Sequence, residues 1–172
     1  MNLQSNDFAI FGIEPRFELD RAALDARWKD LQREAHPDRF ATADAQAQRQ
    51  AMQWSVRINE AHQRLKDPLK RAAYLCELHG APIQAENNTA MPAAFLMQQM
   101  QWREELDEAG GLEELERMAD DVAAARRAML EGLQTTADEK HDWPELARQV
   151  RALMFVERFA RDVESRIDLL GQ

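Results

Sequence analysis

The sequence predicts an all-α protein built in two parts. The β-branched residues Val, Ile and Thr, which favour strands, make up only fourteen of the 172 residues. Apolar residues instead recur at three- and four-residue spacing in several segments, which is the period of an amphipathic helix. Residues 80–92 contain two prolines and two asparagines and have no such period. We therefore expect helices on both sides of a break at this segment.

The charge balance limits the partners that the chain can have. It carries 31 acidic and 22 basic residues, for a net charge of −9, which a nucleic-acid backbone would repel. No apolar stretch approaches the length of a membrane span, and the N-terminus lacks the basic and apolar regions of a signal peptide. We expect a cytoplasmic protein that binds neither nucleic acid nor membrane.

The chain has few residues that could hold a metal or a cofactor. Cys76 is the single cysteine, so the chain can form no internal disulfide and no zinc or iron–sulfur site from cysteines alone. The histidines at 62, 79 and 141 are scattered without ligand spacing. We predict no metal site and no cofactor, and a reducing compartment.

The N-terminal part begins with two predicted helices. Residues 6–12 form a short one, with Gly12 as its C-terminal stop. The second starts after Asp20, whose carboxylate can accept hydrogen bonds from the free N–H groups of the first turn. Pro37 ends this helix, because proline has no N–H and disfavours helical backbone at the residue before it.

Two further helices complete the N-terminal part. One starts near Thr42 and carries an apolar face, which predicts antiparallel packing against the second helix. Lys66-Asp67-Pro68 ends it. The next covers residues 69–79, and Gly80 is its expected C-terminal residue. We assign residues 1–80 to the first domain and 81–92 to a linker.

The C-terminal part, residues 93–172, contains three longer predicted helices, at 93–109, 112–134 and 144–170. A pair of glycines separates the first two, and the polar run 135–143 separates the last two. Such short connections favour antiparallel neighbours. We predict an antiparallel three-helix bundle.

The tripeptide His36-Pro37-Asp38, between the second and third helices, allows three interpretations. It can be a helix stop in which Asp38 caps neighbouring N–H groups. His36 and Asp38 can also form an acid–base pair or half of a metal site, although no further coordinating cluster is identifiable nearby. In the third interpretation it is a rigid exposed loop whose carboxylate accepts an arginine of a partner.

The arrangement resembles a J-domain, the module that stimulates ATP hydrolysis by DnaK-like chaperones. The resemblance rests on a short helix, two longer helices joined by His-Pro-Asp, and the segment DPLKRAAY at 67–74. It implies that the chaperone performs the chemistry and that this chain is no enzyme. It further implies a chaperone-binding set that includes the basic residues on and beside the second helix, which would otherwise be an ordinary solvated face. That set is His36, Pro37, Asp38, Arg27, Lys29, Arg33 and Arg39.

The first bundle helix carries two apolar stripes. On an ideal helix Phe95, Trp102 and Leu106 fall within about 40° of one another and can face the core. A second stripe, Leu96, Met97 and Met100, is centred more than about 100° away. Phe155 points to nearly the opposite side of the third bundle helix from that helix's core stripe. These residues either form a partner surface or reflect a helix that contacts two neighbours.

The segment FLMQQMQWREELDE, at 95–108, follows a J-domain ending in DPLKRAAYLCELHG, and together they resemble the HscB co-chaperones of iron–sulfur cluster biogenesis over nearly the whole chain. Eukaryotic members carry a cysteine-rich zinc module that this sequence lacks, so a bacterial-type protein is implied. The resemblance implies that the bundle binds the scaffold IscU and delivers it to the DnaK-like chaperone HscA. The implied scaffold-binding residues are Leu96, Met97, Met100, Gln101, Glu104 and Phe155.

Two rival functions are compatible with the same features. One is a J-domain co-chaperone that serves unfolded polypeptides in general. The other is a helical adaptor in which the His-Pro-Asp sequence is incidental. The first rival differs in the client that the C-terminal part would bind, and the second differs in that the chain would stimulate no chaperone.

Overall fold

The computed structural model describes residues 2–171, with Pro37 described by its backbone alone. Within this range the chain is helical and contains no strand. Its α-helices are α1 (Asp7–Phe11), α2 (Arg21–Ala35), α3 (Ala45–Lys66), α4 (Pro68–Leu78), α5 (Ala93–Glu108), α6 (Leu112–Gln134) and α7 (Trp143–Leu170). A 3₁₀ turn covers Pro37–Phe40 and a π-helical turn covers Thr135–Lys140. The all-α prediction is confirmed.

The chain divides into two compact units, Met1–Leu75 and Cys76–Gln172. The division falls within α4, upstream of the predicted domain end at residue 80. Residues 81–92, predicted as a linker, belong to the second unit. The first unit contains α1 to α3 and most of α4, and the second contains the three long helices α5 to α7.

Local signals set the ends of α1. The side chain of Asn6 accepts a hydrogen bond from the Ala9 N–H, which supplies one of the partners that the first turn lacks. Gly12 adopts φ of +68°, a left-handed conformation that glycine takes without steric cost, and there the helix ends. Between these caps Phe8, Ile10 and Phe11 are buried in the core of the first unit.

A fully buried carboxylate ties α1 to α3. Asp7 is inaccessible to solvent, and its oxygens accept from Arg57 Nη2 at 2.8 Å and from Arg64 Nε at 2.6 Å. The Asp7 backbone N–H donates to the hydroxyl of Tyr74 at 2.9 Å. Arg57 also donates to the carbonyls of Leu3 and Ser5. Two arginines therefore compensate one buried negative charge, which is the condition under which such a charge is tolerated.

The helices α2 and α3 form an antiparallel hairpin held by polar ties as well as apolar packing. Trp28 Nε1 donates to Asn59 Oδ1 at 2.9 Å, and Gln32 Nε2 donates to the same oxygen at 2.7 Å. His62 Nε2 lies 2.8 Å from Asp25 Oδ1. This hydrogen bond, together with that from Arg21, lowers the pKa of the Asp25 carboxyl below its ordinary value. The Asp25 carboxyl therefore stays ionised to a lower pH than an ordinary aspartate does.

The start of α3 differs from the prediction. The helix begins at Ala45 rather than near Thr42, because Asp44 is the N-cap residue and its side chain accepts from the Ala47 N–H at 2.7 Å. The residues between α2 and Asp44 are taken up by the 3₁₀ turn and the bend that follows it. The capping signal of Asp44 was present in the sequence and outweighs the threonine two residues earlier.

The core of the second unit lies between α6 and α7, where Leu115, Val122, Leu133, Val150 and Val156 are buried. The predicted polar connection at 135–143 is largely helical in the structure. Its first six residues, Thr135–Lys140, extend α6 as a π-helical turn, in which Thr136 and Ala137 are buried. The sequence predicted only a short polar link between the two helices at this point. The structure differs because the widened turn continues α6 and places two of these residues in the core.

The helix α5 runs parallel to α7 and packs on it through aromatic rings. Trp102 stacks on Phe159 with ring centroids 5.5 Å apart, and Phe95 meets Phe155 edge to face at 5.8 Å. The expectation that Phe155 is a surface group was wrong, since only 6% of it is exposed. The reason is that α7 has neighbours on two sides. Residues opposite its α6-facing stripe are buried by α5 rather than left to solvent.

A buried arginine anchors residues 82–90 to α7. Arg151 Nε donates to the carbonyl of Ile83 at 3.0 Å, Nη1 to that of Ala90 at 3.1 Å, and Nη2 to that of Pro82 at 3.4 Å. These carbonyls belong to a segment outside the helices, where backbone groups need partners when they are buried. Part of the predicted linker is thus fastened to the bundle.

Cys76 should be chemically inert in the folded protein. Its side chain is inaccessible, and burial raises the pKa of the thiol to about 12. Because the thiolate is the reactive species, its fraction at pH 8 is only about one in ten thousand. We expect that iodoacetamide does not alkylate Cys76 of the folded protein within about an hour at pH 8, and that it alkylates Cys76 completely in about 6 M guanidinium chloride. Mass spectrometry measures the extent of alkylation in both cases. Rapid alkylation of the native chain would contradict this burial.

Candidate functional site

The His-Pro-Asp turn projects from the end of the α2–α3 hairpin. His36 lies just after α2 with extended backbone, and its Nδ1 accepts a hydrogen bond from the Asp38 N–H at 3.2 Å. An imidazole that accepts at Nδ1 carries its ring proton at Nε2 when neutral. The Asp38 side chain is 92% exposed. The turn therefore offers a carboxylate to solvent from a backbone that the 3₁₀ hydrogen bonds and the histidine hold in place.

The basic residues predicted to bind a chaperone do not all lie together. Lys29 and Arg33 are exposed and lie about 40° apart on α2, whereas Arg27 is partly buried and about 120° from Arg33. Arg33 donates to Asp30 at 2.8 Å, so its charge is partly compensated. Arg39 is exposed within the 3₁₀ turn. The side of α2 that carries Lys29 and Arg33, together with Arg39, forms the accessible basic surface.

An apolar cavity of about 370 Å³ lies next to the turn in the first unit. Leu31 and Ala35 of α2 form one wall, Phe40 of the 3₁₀ turn forms another, and Trp54 and Ile58 of α3 form a third. No motif in the sequence marks this cavity, because it arises from the spacing between helices.

The face of α5 opposite α7 is apolar and exposed. Leu96 is 46% exposed, Met100 67% and Met97 76%. On an ideal helix these three residues, with Gln101 and Glu104, fall within an arc of about 140°. Phe95, Trp102 and Leu106 occupy the opposite side and face the bundle. We call the exposed set, Leu96, Met97, Met100, Gln101 and Glu104, the outer face of α5.

Phe155 differs from the other predicted scaffold-binding residues. Its ring packs on Phe95 and Phe159, and the Arg103 guanidinium lies 5.3 Å from its centroid. It nevertheless lines a cavity of about 390 Å³ in the second unit, and Leu96 lines the same cavity. Leu96 of the outer face of α5 and Phe155 of α7 therefore meet at one cavity. No signal in the sequence indicates the contact between Arg103 and Phe155, because an arginine on an exposed helix face is ordinarily solvated.

The structure adds two observations on other classes of site. Among residues 2–171, no three His, Cys, Asp or Glu side chains come together in a way that could hold a metal ion. Within the same range, no helix combines the length and the apolarity that crossing a bilayer demands.

The helical hairpin with its exposed His-Pro-Asp turn, followed by a three-helix bundle, places the chain in the class of J-domain proteins. A family model described as "HSCB C-terminal oligomerisation domain" matches residues 91–164. The co-chaperone protein HscB homolog of Bordetella petrii is 49% identical over 91% of this chain and 92% of its own. That of Burkholderia multivorans is 46% identical over 99% and 98%. This chain belongs to the HscB co-chaperone family.

Solved structures agree with this assignment. The chaperone HscB from Vibrio cholerae is 36% identical and superposes with a TM-score of 0.80, over 96% of this chain and 99% of its own. The human co-chaperone protein HscB has a TM-score of 0.86 over 96% of this chain and 84% of its own, but at 23% identity it supports the fold alone. Membership in a co-chaperone family implies a chaperone partner.

Proposed function

We propose that this chain is a co-chaperone of the bacterial cytoplasm that binds the iron–sulfur scaffold protein IscU, delivers it to the DnaK-like chaperone HscA and stimulates the ATPase of that chaperone. In this role it assists transfer of the cluster from the scaffold to acceptor proteins. The observation that carries the proposal is the exposed apolar outer face of α5 in a member of the HscB family.

The outer face of α5 has the properties of a protein-binding surface. An apolar side chain contributes about 1.5–3 kcal/mol when it passes from full exposure to full burial, and Leu96, Met97 and Met100 retain much of that potential. Methionine side chains adapt to the shape of a partner because they are unbranched and flexible. Glu104 lies within the same arc and is exposed, so it can add a charge-dependent contact at the edge.

The His-Pro-Asp turn suits the chaperone half of the proposal. A carboxylate as exposed as that of Asp38 can accept both N–H groups of an arginine, which is among the stronger polar contacts available to a protein. Lys29 and Arg39 can approach an acidic patch and increase the rate of association, in a way that salt would weaken. ATP hydrolysis takes place in the chaperone, and this chain contributes no catalytic residue.

Carrying both surfaces on one polypeptide has a physical consequence. Once the turn engages the chaperone, a scaffold bound to α5 is held close to it. Its effective concentration there exceeds its concentration in solution, without any direct contact between scaffold and chaperone.

Replacing Met97 and Met100 together with serine should weaken scaffold binding at least about tenfold, because two exposed apolar side chains lose their burial against the partner. Binding is measured by calorimetric titration of purified scaffold into the full-length chain. Both side chains point to solvent, so the helical circular-dichroism spectrum should stay unchanged. Phe155 is left in place because its removal would open the core between α5 and α7.

The matched control is Met52→Ser, the same change at an exposed methionine of α3 in the first unit. It should leave scaffold affinity within about twofold. Equal affinity of the double variant and the parent would contradict the assignment of the outer face of α5. If reduced and carboxymethylated lactalbumin, an unfolded polypeptide, displaces the scaffold at equal concentration, the chain serves unfolded clients instead.

A further inference from the structure

The cavity that Leu96 and Phe155 share carries a positive charge that nothing in its walls compensates. Two of its lining residues are Arg151 and Arg158, and none is an aspartate or a glutamate. This is unusual in a chain with a net charge of −9. The other lining residues include the apolar side chains of Leu96, Met154 and Phe155.

Arg151 is a buried cation without an anionic partner among the described residues. It is 6% exposed, and its three hydrogen bonds go to the carbonyls of Pro82, Ile83 and Ala90. Carbonyl dipoles satisfy its N–H groups but leave its full positive charge in place. In surroundings of low dielectric constant, such a charge favours the arrival of an anion more strongly than an exposed one does.

Arg158 lies on the exposed rim of the same cavity. It forms no hydrogen bond or ion pair within residues 2–171, unlike Arg126 and Arg148 on neighbouring surfaces, which pair with Glu157 and Glu145. Its guanidinium is therefore available for a bidentate contact with a carboxylate. Gln99 also lines the cavity, and its amide oxygen is buried without a hydrogen-bond donor. Rotation of that amide would let a donor from an occupant satisfy it.

We propose that this cavity receives an acidic side chain of the scaffold together with an adjoining apolar side chain, with the carboxylate on Arg158 and the apolar group against Leu96, Met154 and Phe155. The inference rests on the proposed function, since it extends the scaffold-binding surface from the outer face of α5 into the bundle. The cavity of about 390 Å³ is far larger than a carboxylate alone and falls in the range of pockets that hold a ligand of several side-chain groups.

The continuity of the two surfaces selects the scaffold over a free small anion. Leu96 belongs both to the outer face of α5 and to the wall of the cavity. A partner that covers Met97 and Met100 therefore reaches the mouth of the cavity. A free anion would use the arginines and leave the apolar wall uncovered. The same arrangement explains how the buried ring of Phe155 can contact a partner.

The test is a titration of purified scaffold into the full-length variants Arg158→Gln and Arg158→Glu at 50 and 300 mM NaCl. Loss of a charge-assisted hydrogen bond predicts roughly tenfold weaker binding for Arg158→Gln at 50 mM, and a larger loss for the charge reversal. The salt dependence of the affinity should also decrease in Arg158→Gln, because one ionic contact is gone. Arg127→Gln, at an exposed arginine of α6, is the matched control and should bind like the parent.

The outcomes separate the two proposals. If the parent binds the scaffold and Arg158→Gln binds it equally at both salt concentrations, the cavity is not part of the interface and this inference is overturned alone. If the parent itself does not bind, the proposed function fails and the inference fails with it. A shift of the Gln99 side-chain amide signals with acetate or inorganic phosphate alone, combined with unchanged scaffold affinity, would assign the cavity to a free anion and also overturn the inference.

Discussion

Replacing His36 with glutamine should reduce stimulation of the chaperone ATPase to the basal rate. The imidazole accepts the Asp38 N–H at Nδ1, so its loss frees the turn and removes a ring that is 55% exposed. The backbone that carries the exposed Asp38 carboxylate is then no longer held by the histidine. Helicity should be unchanged, because His36 lies outside α2 and α3. The measurement is steady-state phosphate release by HscA with increasing amounts of the variant.

The companion variant His79→Gln separates this effect from a general loss of histidine. His79 is exposed in the second unit, where its ring stacks on Trp143 at 3.8 Å. The His79→Gln variant should stimulate the chaperone ATPase as the parent does. Scaffold binding should be intact in both variants. Full stimulation by His36→Gln would remove the chaperone assignment of the turn and favour the helical-adaptor alternative.

Asp7→Ala should destabilise the first unit by about 3 kcal/mol. Removal of the carboxylate leaves Arg57 and Arg64 without their shared anion, and one nitrogen of Arg57, Nη1, is already buried without a partner. We place the loss at the lower end of the range for broken buried pairs because the Arg64 side chain is more than one-third exposed and water can solvate it. Urea denaturation followed through the amide signals of α1 to α3 measures the change.

Asp30→Ala is the comparison for that measurement. Asp30 also accepts from an arginine at 2.8 Å, but both partners of this pair are mostly exposed on α2. Its removal should cost at most about 1 kcal/mol. Similar losses of unfolding free energy in the two variants would show that burial does not distinguish these ion pairs. That result would contradict a stabilising role for the buried Asp7 carboxylate between α1 and α3.

The helices were largely predictable because their ends are local. Asn6, Asp20, Asp44 and Asp142 each accept a backbone N–H of the helix that follows, and proline ends α2. Such capping acts between residues three apart in sequence, so it can be recognised without knowing the fold. The prediction near Thr42 shows the limit, since two potential caps stood within three residues and only one is used.

The candidate site was predictable in part, for the same reason. Helical periodicity showed that α5 has two apolar sides, and the structure places Leu96, Met97 and Met100 on the exposed one. Periodicity could not show that α7 also has two buried sides, so Phe155 was wrongly expected at the surface. Arg151 gave no signal at all, because an arginine inside a bundle is recognised only by the carbonyls it meets there.

By itself, the sequence determined which segments are helical, where most helices end and which residues form the exposed His-Pro-Asp turn, because capping, proline geometry and helical period act over a few neighbouring residues. Only the tertiary structure decided which apolar side chains stay exposed and where charges are buried. Asp7 and Arg151 look like surface residues in sequence, and they are buried because partners distant in the chain surround them. Burial depends on what packs against a side chain, and that is a property of the whole fold.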